Sequence, residues 1–217
     1  MSQLFTRGPL RFTEINTRMI PSDQFSYHLR QLIKYELINK SLDNTYNLSV
    51  NGRSRAILLD TKSNRFIEQG FIACRVILAR EQKECRQYLM QHRTKVPYRG
   101  NIAEPGGKVL FGEDVLEAAR RNMLVETGLS CDMKLCGIMH FKDRYLGRVV
   151  QDKFFFVVWA TNPQGMLTEG VTGKNMWMSH EEIAANPKTH QGVVDIIAAA
   201  ESKQFAFKER THIVEEY

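Results

Sequence analysis

The stretch EPGGKVLFGEDVLEAARRNMLVETGL, running from Glu104 to Leu129, decides how the chain is read. Gly106 and Gly107 let the backbone approach a ligand with no Cβ in the way, and their loop feeds a helix start whose free N–H groups suit an anion such as a diphosphate. Asp114 to Thr127 is rich in helix formers and stops at Gly128, a residue suited to the left-handed turn that ends helices. Glu113 stands at the helix start, Glu117 and Arg121 are spaced i, i+4, and Glu126 falls one turn beyond Asn122 on the same face. A carboxylate there is placed to hold a divalent ion bridging phosphate oxygens. Mg²⁺ suits the task because it takes few protein ligands and leaves the rest to substrate and water.

The spacing carries more weight than the composition. Counted from Gly107, five residues lead to Glu113 and seven more to Arg121, followed by apolar Met123, then Glu126, Gly128 and apolar Leu129. This resembles the Nudix box: Gly, five residues, Glu, seven residues, Arg-Glu, apolar, any, Glu-Glu, any, Gly, apolar. The likeness covers the 23 residues from Gly107 to Leu129. Weaker likeness runs from about Phe71 to Ala199, through YLMQHR ahead of PGGKV, KFFFVVWA after the box, and MWMSHEEIA, which is similar to a Trp-x-Ser-x-x-Glu-Leu stretch near the end of such domains. The resemblance implies an α/β fold, an α/β/α sandwich around a mixed sheet, here with an N-terminal helical extension. It also implies nucleoside diphosphates linked to another group as substrates, cut by water at phosphorus with Mg²⁺ or Mn²⁺ assisting.

Two positions depart from the pattern. Asn122 stands where the box has the Glu after the arginine, and Val125 replaces the first Glu of the Glu-Glu pair. Valine cannot ligate, and asparagine offers only a neutral carbonyl oxygen, a poor partner for a hard dication and no base. GDP-mannose mannosyl hydrolases resemble this chain in lacking acids at both positions; they keep the last Glu, use one Mg²⁺ and take a histidine base from a later loop. Their Gln-His before the tryptophan has no match in TEGVTGKNMW.

Roles follow from the resemblance. Glu126 is the expected metal ligand and catalytic carboxylate, with Asn122 as a weaker ligand. Arg121 is expected to orient the helix carboxylates, Glu117 among them, while Gly106, Gly107 and Lys108 hold phosphate. Glu169, eight residues before Trp177, and His190 in PKTHQGV are the candidates for the missing base. His140 and Asp143, in MHFKDRY, are candidates for lining the pocket, and Trp177 for the core or for stacking on a base.

Outward from the box, residues 51–205 are assigned to the Nudix-type domain, 1–50 to an extension and 206–217 to a charged peripheral tail. In the extension Pro21-Ser22-Asp23 signals a helix start, and Phe25, Leu29, Leu32, Ile33, Leu37 and Ile38 recur at helical spacing. Strands are expected near 55–59 and 71–79, and again in KLCGIMHF and KFFFVVWAT. A polar connection and a short element are expected in REQKECRQYLMQHR. Ser179 and Glu182 form a capping pattern, and GVVDIIAAAESK reads as a C-terminal helix.

The chain has 217 residues, 43% of them hydrophobic, enough for one sizeable domain with additions. No stretch approaches the roughly 20 apolar residues of a membrane helix, and MSQLFTRGPLRF lacks a signal-peptide core, so the expectation is a cytoplasmic protein with no membrane partner. Cys74, Cys85, Cys131 and Cys136 show neither zinc-site spacing nor disulfide density, and read as reduced, mostly buried thiols. The net charge of +6 is concentrated in the first hundred residues, which suits an anionic partner.

Two functions remain open on this reading. One is a divalent-metal-dependent hydrolase of a nucleotide-sugar or related compound. The other is a catalytically silent Nudix domain that binds a nucleotide, an RNA 5′ end or a protein partner. A homodimer is compatible with both.

Overall fold

In a computed structural model, which describes residues 1–82, 85–170, 172–202 and 204–215, the chain folds as two compact units, Met1–Glu68 and Gln69–Tyr217. The division falls 18 residues beyond the boundary expected at 50/51. Residues 51–68 complete the first unit instead of opening the second.

The first unit runs α1 (Ser2–Arg7), β1 (Leu10–Arg11), α2 (Phe12–Ile15), α3 (Ser22–Lys34), β2 (Ile38–Lys40), β3 (Thr45–Leu48), α4 (Val50–Ala56), β4 (Leu59–Asp60) and β5 (Arg65–Phe66). β1, β2 and β3 form an antiparallel sheet with β3 at its centre. Its core is Leu4, Leu10, Ile15, Leu29, Ile38, Tyr46, Leu48 and Ala56. α3 begins at the Pro-Ser-Asp signal and buries Leu29, with Phe25 and Leu32 packed behind it. It ends earlier than the apolar spacing suggests, because Glu36 takes a left-handed φ of 54° and turns the chain back. Leu37 and Ile38 therefore lie beyond the helix, and Ile38 reaches the core from a strand. The strand expected near 55–59 is also corrected: Ser49 caps a helix there by accepting a hydrogen bond from the Gly52 N–H at 2.9 Å.

The second unit comprises β6 (Phe71–Gln82), β7 (Cys85–Arg93), β8 (Ile102–Ala103), β9 (Gly106–Lys108), α5 (Val115–Thr127), β10 (Leu129–Tyr145), β11 (Arg148–Gly165), β12 (Gly173–Ser179), α6 (His180–Ala185), α7 (Val193–Glu201) and β13 (Ala206–Ile213). Its sheet has the order β12-β7-β6-β11-β10-β13, with β8 beside β7 and β9 beside β6. β6–β11 and β10–β13 are parallel pairs and the others antiparallel, so the sheet is mixed.

α5 covers one face over Cys74, Val76, Leu78, Leu89, Met123 and Val158. α6 and α7 cover the other, over Ile77, Met90, Met139, Phe141, Phe155 and Val157. Alternate residues of each strand feed opposite cores, which explains why β11 reads as continuously apolar. This is the expected α/β/α arrangement.

Two expectations in this unit change. The stretch after Arg80 is a long strand, β7, paired with β6 and β12, and not a short element; its turn residues Lys83 and Glu84 lie outside the described residues. The expected tail is β13, which adds to the sheet edge in parallel register with β10 from Gly137 to Arg144. Ala206, Lys208 and His212 are the less exposed positions and Phe207, Glu209 and Thr211 the exposed ones, an alternation that the charged side chains hide in the sequence. Among the described residues, no helix is long and apolar enough to cross a membrane.

Candidate functional site

α5 runs from Val115 to Thr127 and ends at Gly128 with φ 74°, as its sequence requires. Arg121 does not pair with Glu117. Its guanidinium donates from Nε to Glu113 Oε1 at 2.6 Å, from Nη2 to Glu113 Oε2 at 2.8 Å and from Nη2 to the Lys108 carbonyl at 3.0 Å. Glu113 also accepts from the Leu110 N–H at 2.9 Å. The Arg121 hydrogen bonds and the Leu110 N–H hold the Glu113 carboxyl at about 2, well below its ordinary value. This pair ties the loop to the helix and leaves Glu117 exposed.

Asn122 is buried and already used. Its amide nitrogen donates toward the Lys108 carbonyl at 3.4 Å and lies 3.5 Å from Cys74 Sγ, while its Oδ1 accepts from Arg121 Nη1 at 3.2 Å. Gly107 is needed for this contact, since a Cβ there would lie 2.3 Å from Asn122 Oδ1. The Lys108 ammonium lies 5.6 Å from the centre of the Phe71 ring. Val125 is more than half exposed.

Glu126 sits at the buried end of the helix, 8% exposed. Its Oε2 accepts from Gln91 Nε2 at 3.2 Å and from the Thr172 hydroxyl in a short bond. Thr172 also donates to Gln91 Oε1 at 3.0 Å, and Asn175 Nδ2 donates to the Glu126 carbonyl at 2.7 Å. Gly170 closes this network: a Cβ there would lie 2.3 Å from the Glu126 carbonyl oxygen and 2.7 Å from Oε2. Glu169 points elsewhere, exposed and 3.9 Å from Lys174 Nζ. The loop touches Glu126 through its glycine and threonine, and not through its carboxylate.

Gln91, Gly170, Thr172 and Asn175 carry no motif. Gln91 follows the apolar run Tyr88-Leu89-Met90 and precedes His92 and Arg93, so the sequence offered no signal to single it out.

A second polar cluster occupies the far end of the opposite face of the sheet. Arg75 Nε lies 3.4 Å from Glu104 Oε1, and its guanidinium sits 4.4 Å from the Phe155 ring centre. Arg93 donates from Nη2 to the Pro97 carbonyl at 3.2 Å. Burial and the neighbouring Arg75 lower its affinity for its proton, while Glu104 and Glu126 raise it, so Arg93 stands in the field of both carboxylates. The Nε atoms of Arg75 and Arg93 and Glu104 Oε2 are buried without a hydrogen-bond partner. Burial drives the Glu104 pKa up, against the pull of Arg75, Arg93 and Lys153.

Next to these, Lys153 makes a short contact to Asp143, which also accepts a short bond from the Tyr98 hydroxyl. His212 Nδ1 lies 3.4 Å from Asp143 Oδ1, at ion-pair distance. Burial opposes ionisation of Asp143, yet His212, Lys153 and Tyr98 together hold its pKa well below the usual range. A cavity of about 850 Å³ opens beside the cluster, lined by Pro97, Tyr98, Asn101, His190 and His212 among others.

His190 is in that wall, edge-on to Tyr98 with ring centres 4.6 Å apart. Burial first, then the charges of Lys153 and Arg75, push its pKa down to about 3. It is therefore neutral at neutral pH but too weak a base for the role the sequence suggested. His140 stacks on Phe154 with ring centres 4.1 Å apart and lies between Glu209 and Asp152 at 2.5 and 2.7 Å. It is a partly exposed sheet residue, neither core nor pocket. Asp143 is fully buried behind Tyr98 and His212, which line the cavity in its place. Trp177 packs against the α5 core, with the Arg80 guanidinium 4.1 Å from its ring centre. Of the cysteines only Cys74 is fully buried, and Cys85 is exposed.

Residues 71–199 match the NUDIX domain family. The chain belongs to the Nudix family. Its second unit has the fold of solved Nudix proteins. It is similar to the mutator MutT protein of Bacillus halodurans, at 23% identity and TM-score 0.55, over 66% of this chain and 90% of that one. It is also similar to a MutT Nudix hydrolase of Burkholderia pseudomallei, at 18% identity and TM-score 0.52, over 61% of this chain and 98% of that one. A third is the Nudix domain of Shewanella oneidensis NrtR, solved in complex with ADP-ribose, at 12% identity and TM-score 0.54, over 68% and 94% of the two chains. At these identities the likeness is one of fold.

Nudix hydrolases generally use divalent metals. The residues present here do not fit a resident divalent ion at the box. Glu126 is engaged by neutral donors, Asn122 presents its amide to sulfur and carbonyl, Glu113 is locked to Arg121, and Val125 has no donor. Among the described residues, no group of three or more His, Cys, Asp or Glu side chains is arranged to hold a metal ion.

Proposed function

We propose that the Nudix domain of this chain binds a nucleoside diphosphate linked to a second group, and that its box acts as a binding frame with little or no hydrolytic power. The observation that carries this reading is the buried Arg75, Arg93 and Glu104 group, in which Arg93 Nε and Glu104 Oε2 have no hydrogen-bond partner and Arg75 Nε has only Glu104 Oε1 at 3.4 Å. Buried guanidinium N–H groups left without acceptors are costly, and a diphosphate supplies acceptors of the right charge and fork geometry. The cavity along Tyr98, Asn101 and His190 has room for the rest of such a ligand. Gly106, Gly107 and Lys108 are the phosphate-side candidates at the helix end.

A second reading is turnover of a nucleotide-sugar, in which a Mg²⁺ or Mn²⁺ ion brought by the substrate would have to draw Glu126 away from Gln91 and Thr172, with Arg121 holding the helix in place. Retention of a buried Glu126 within the field of Arg93 favours it.

Calorimetric titration of the full chain with ADP-ribose, GDP-mannose and capped RNA, each with chelator present, tests the first reading. Binding that weakens at least about tenfold in Arg93→Gln is expected, the loss of a charge-assisted pair. Absence of binding to every compound overturns it. Metal-dependent product release that vanishes in Glu126→Gln would establish the second reading instead.

A further inference from the structure

We propose that the first unit is a double-stranded DNA-binding module, with the outer face of α3 as the element that enters the major groove and the β2–β3 hairpin contacting the flanking backbone. This does not rest on the reading of the Nudix site.

The path of the chain makes the surface. Its first six elements run helix, strand, helix, helix, strand, strand, and β1 pairs with β3 at the sheet centre, the arrangement of a winged helix-turn-helix, with α4, β4 and β5 following. The core fixes the orientation of α3. Phe25, Leu29 and Leu32 face inward, so Gln24, Tyr27, His28, Gln31 and Lys34, at spacings of three and four, share the opposite side. Tyr27 is 54% exposed, and its aromatic ring is not needed by the core. This five-residue stripe holds no carboxylate. It offers amide, hydroxyl, imidazole and ammonium groups, the types that read base edges and hold phosphates.

Charge agrees with that assignment. Residues 1–68 carry ten Lys and Arg against six Asp and Glu. Two of the acids near the stripe are turned to local tasks: Glu14 accepts from the Arg11 N–H at 2.7 Å, and Asp43 accepts from the Thr45 N–H and hydroxyl at 3.1 and 2.8 Å. Asp23, in the first turn and one turn before Tyr27, is the one carboxylate on this outer side of the helix, next to Arg30. Lys40 on β2 and Lys34 at the end of α3 are both exposed.

Size selects the nucleic acid. A helix of 13 residues is about 20 Å long and, with side chains, about 10–12 Å across, which matches the B-form major groove. The A-form major groove of duplex RNA is too deep and narrow for it.

The test is fluorescence anisotropy of the full chain with a labelled mixed-sequence DNA duplex of about 30 base pairs, titrated from about 50 to about 200 mM salt. Binding is expected to weaken with salt. Lys34→Glu with Lys40→Glu is expected to weaken it at least about tenfold and to lower the salt slope by about two, with an unchanged circular dichroism spectrum and melting temperature as the check on folding. Tyr27→Ala with Gln31→Ala is expected to reduce discrimination among duplex sequences while leaving the salt slope intact. No duplex binding at low salt, unchanged binding in the lysine pair variant, or tighter binding to single-stranded or duplex RNA of the same length would each overturn the proposal. Capture of a protein in place of DNA would do so as well.

Discussion

The two faces of the Nudix sheet hold their polar residues in opposite ways. On the α5 face, charge is arranged as local ties: Glu113 to Arg121, Asn122 to the Lys108 carbonyl, Glu126 to Gln91 and Thr172. Nearly every group there has its partner, and the chemistry that motif spacing promises is absent because the donors are spent. On the α7 face no motif is visible, yet Arg75, Asp143 and Lys153 lie buried or half-buried there, near Glu104, and several polar atoms of the cluster have no hydrogen-bond partner. The difference teaches that a motif records where a backbone turns, whereas unspent hydrogen-bonding capacity records where a ligand is wanted.

The largest test of this contrast is Asp143→Ala. It would leave Lys153, 2% exposed, as a buried cation without its counter-charge, and a loss of about 3–5 kcal/mol is expected in urea unfolding. Replacing both partners together, Asp143→Leu with Lys153→Met, is expected to recover most of that loss. A double variant no more stable than the single one would mean that Tyr98 and His212 need the carboxylate as much as the lysine does.

Gly170→Ala addresses the other face. The added methyl collides with the Glu126 carbonyl and carboxylate, so the loop must shift; about 1–3 kcal/mol of stability should be lost, together with ligand binding. If thermal unfolding and nucleotide affinity are both unchanged, the Gln91–Thr172–Glu126 network is not part of the site.

A smaller effect is expected from restoring the box with Asn122→Glu and Val125→Glu. Val125 is exposed and costs little to change, while the buried Asn122 position should cost about 1 kcal/mol. The readout is a Mn²⁺-dependent rise in melting temperature in the restored protein that the natural sequence lacks. The same rise in both proteins would show that Glu126 holds a metal unaided.

What sequence reading captured divides along the same line. α5, its Gly128 stop, the Ser179–Glu182 capping box and the helix at Val193–Glu201 are local structures, written by neighbours within one turn, and the reading placed them well. β13 and the helix from Val50 to Ala56 were missed because pairing with β10 and packing in the first core decide them over long separations. For the site, Glu126, Arg121 and the Gly106–Gly107 loop stood out by spacing. Arg75, Arg93 and Lys153 did not, since a cation in a strand is marked as buried only by the tertiary structure. Glu169 and Thr172 show the limit of position alone: Glu169 faces Lys174, and the residue of that loop that reaches Glu126 is a threonine three places on.

The smallest expected effect is also the one that reports most directly on the cationic face. His190 has a folded pKa of about 3, held down by burial and by Lys153 and Arg75, against an ordinary value of 6.5. As pH falls below about 6.5 the unfolded chain takes up a proton that the folded chain refuses, so stability declines with falling pH until the folded pKa is reached. Because the ring edge meets solvent, the loss at pH 6 should be under about 1 kcal/mol. His190→Gln should flatten the curve of unfolding midpoint against pH in that window. A bound diphosphate would offset the cations beside His190, raise its pKa and shrink the same slope in the natural protein. If saturating ADP-ribose leaves the pH dependence unchanged, the anion does not sit among Arg75, Arg93 and Lys153, and the difference between the two faces belongs to folding alone.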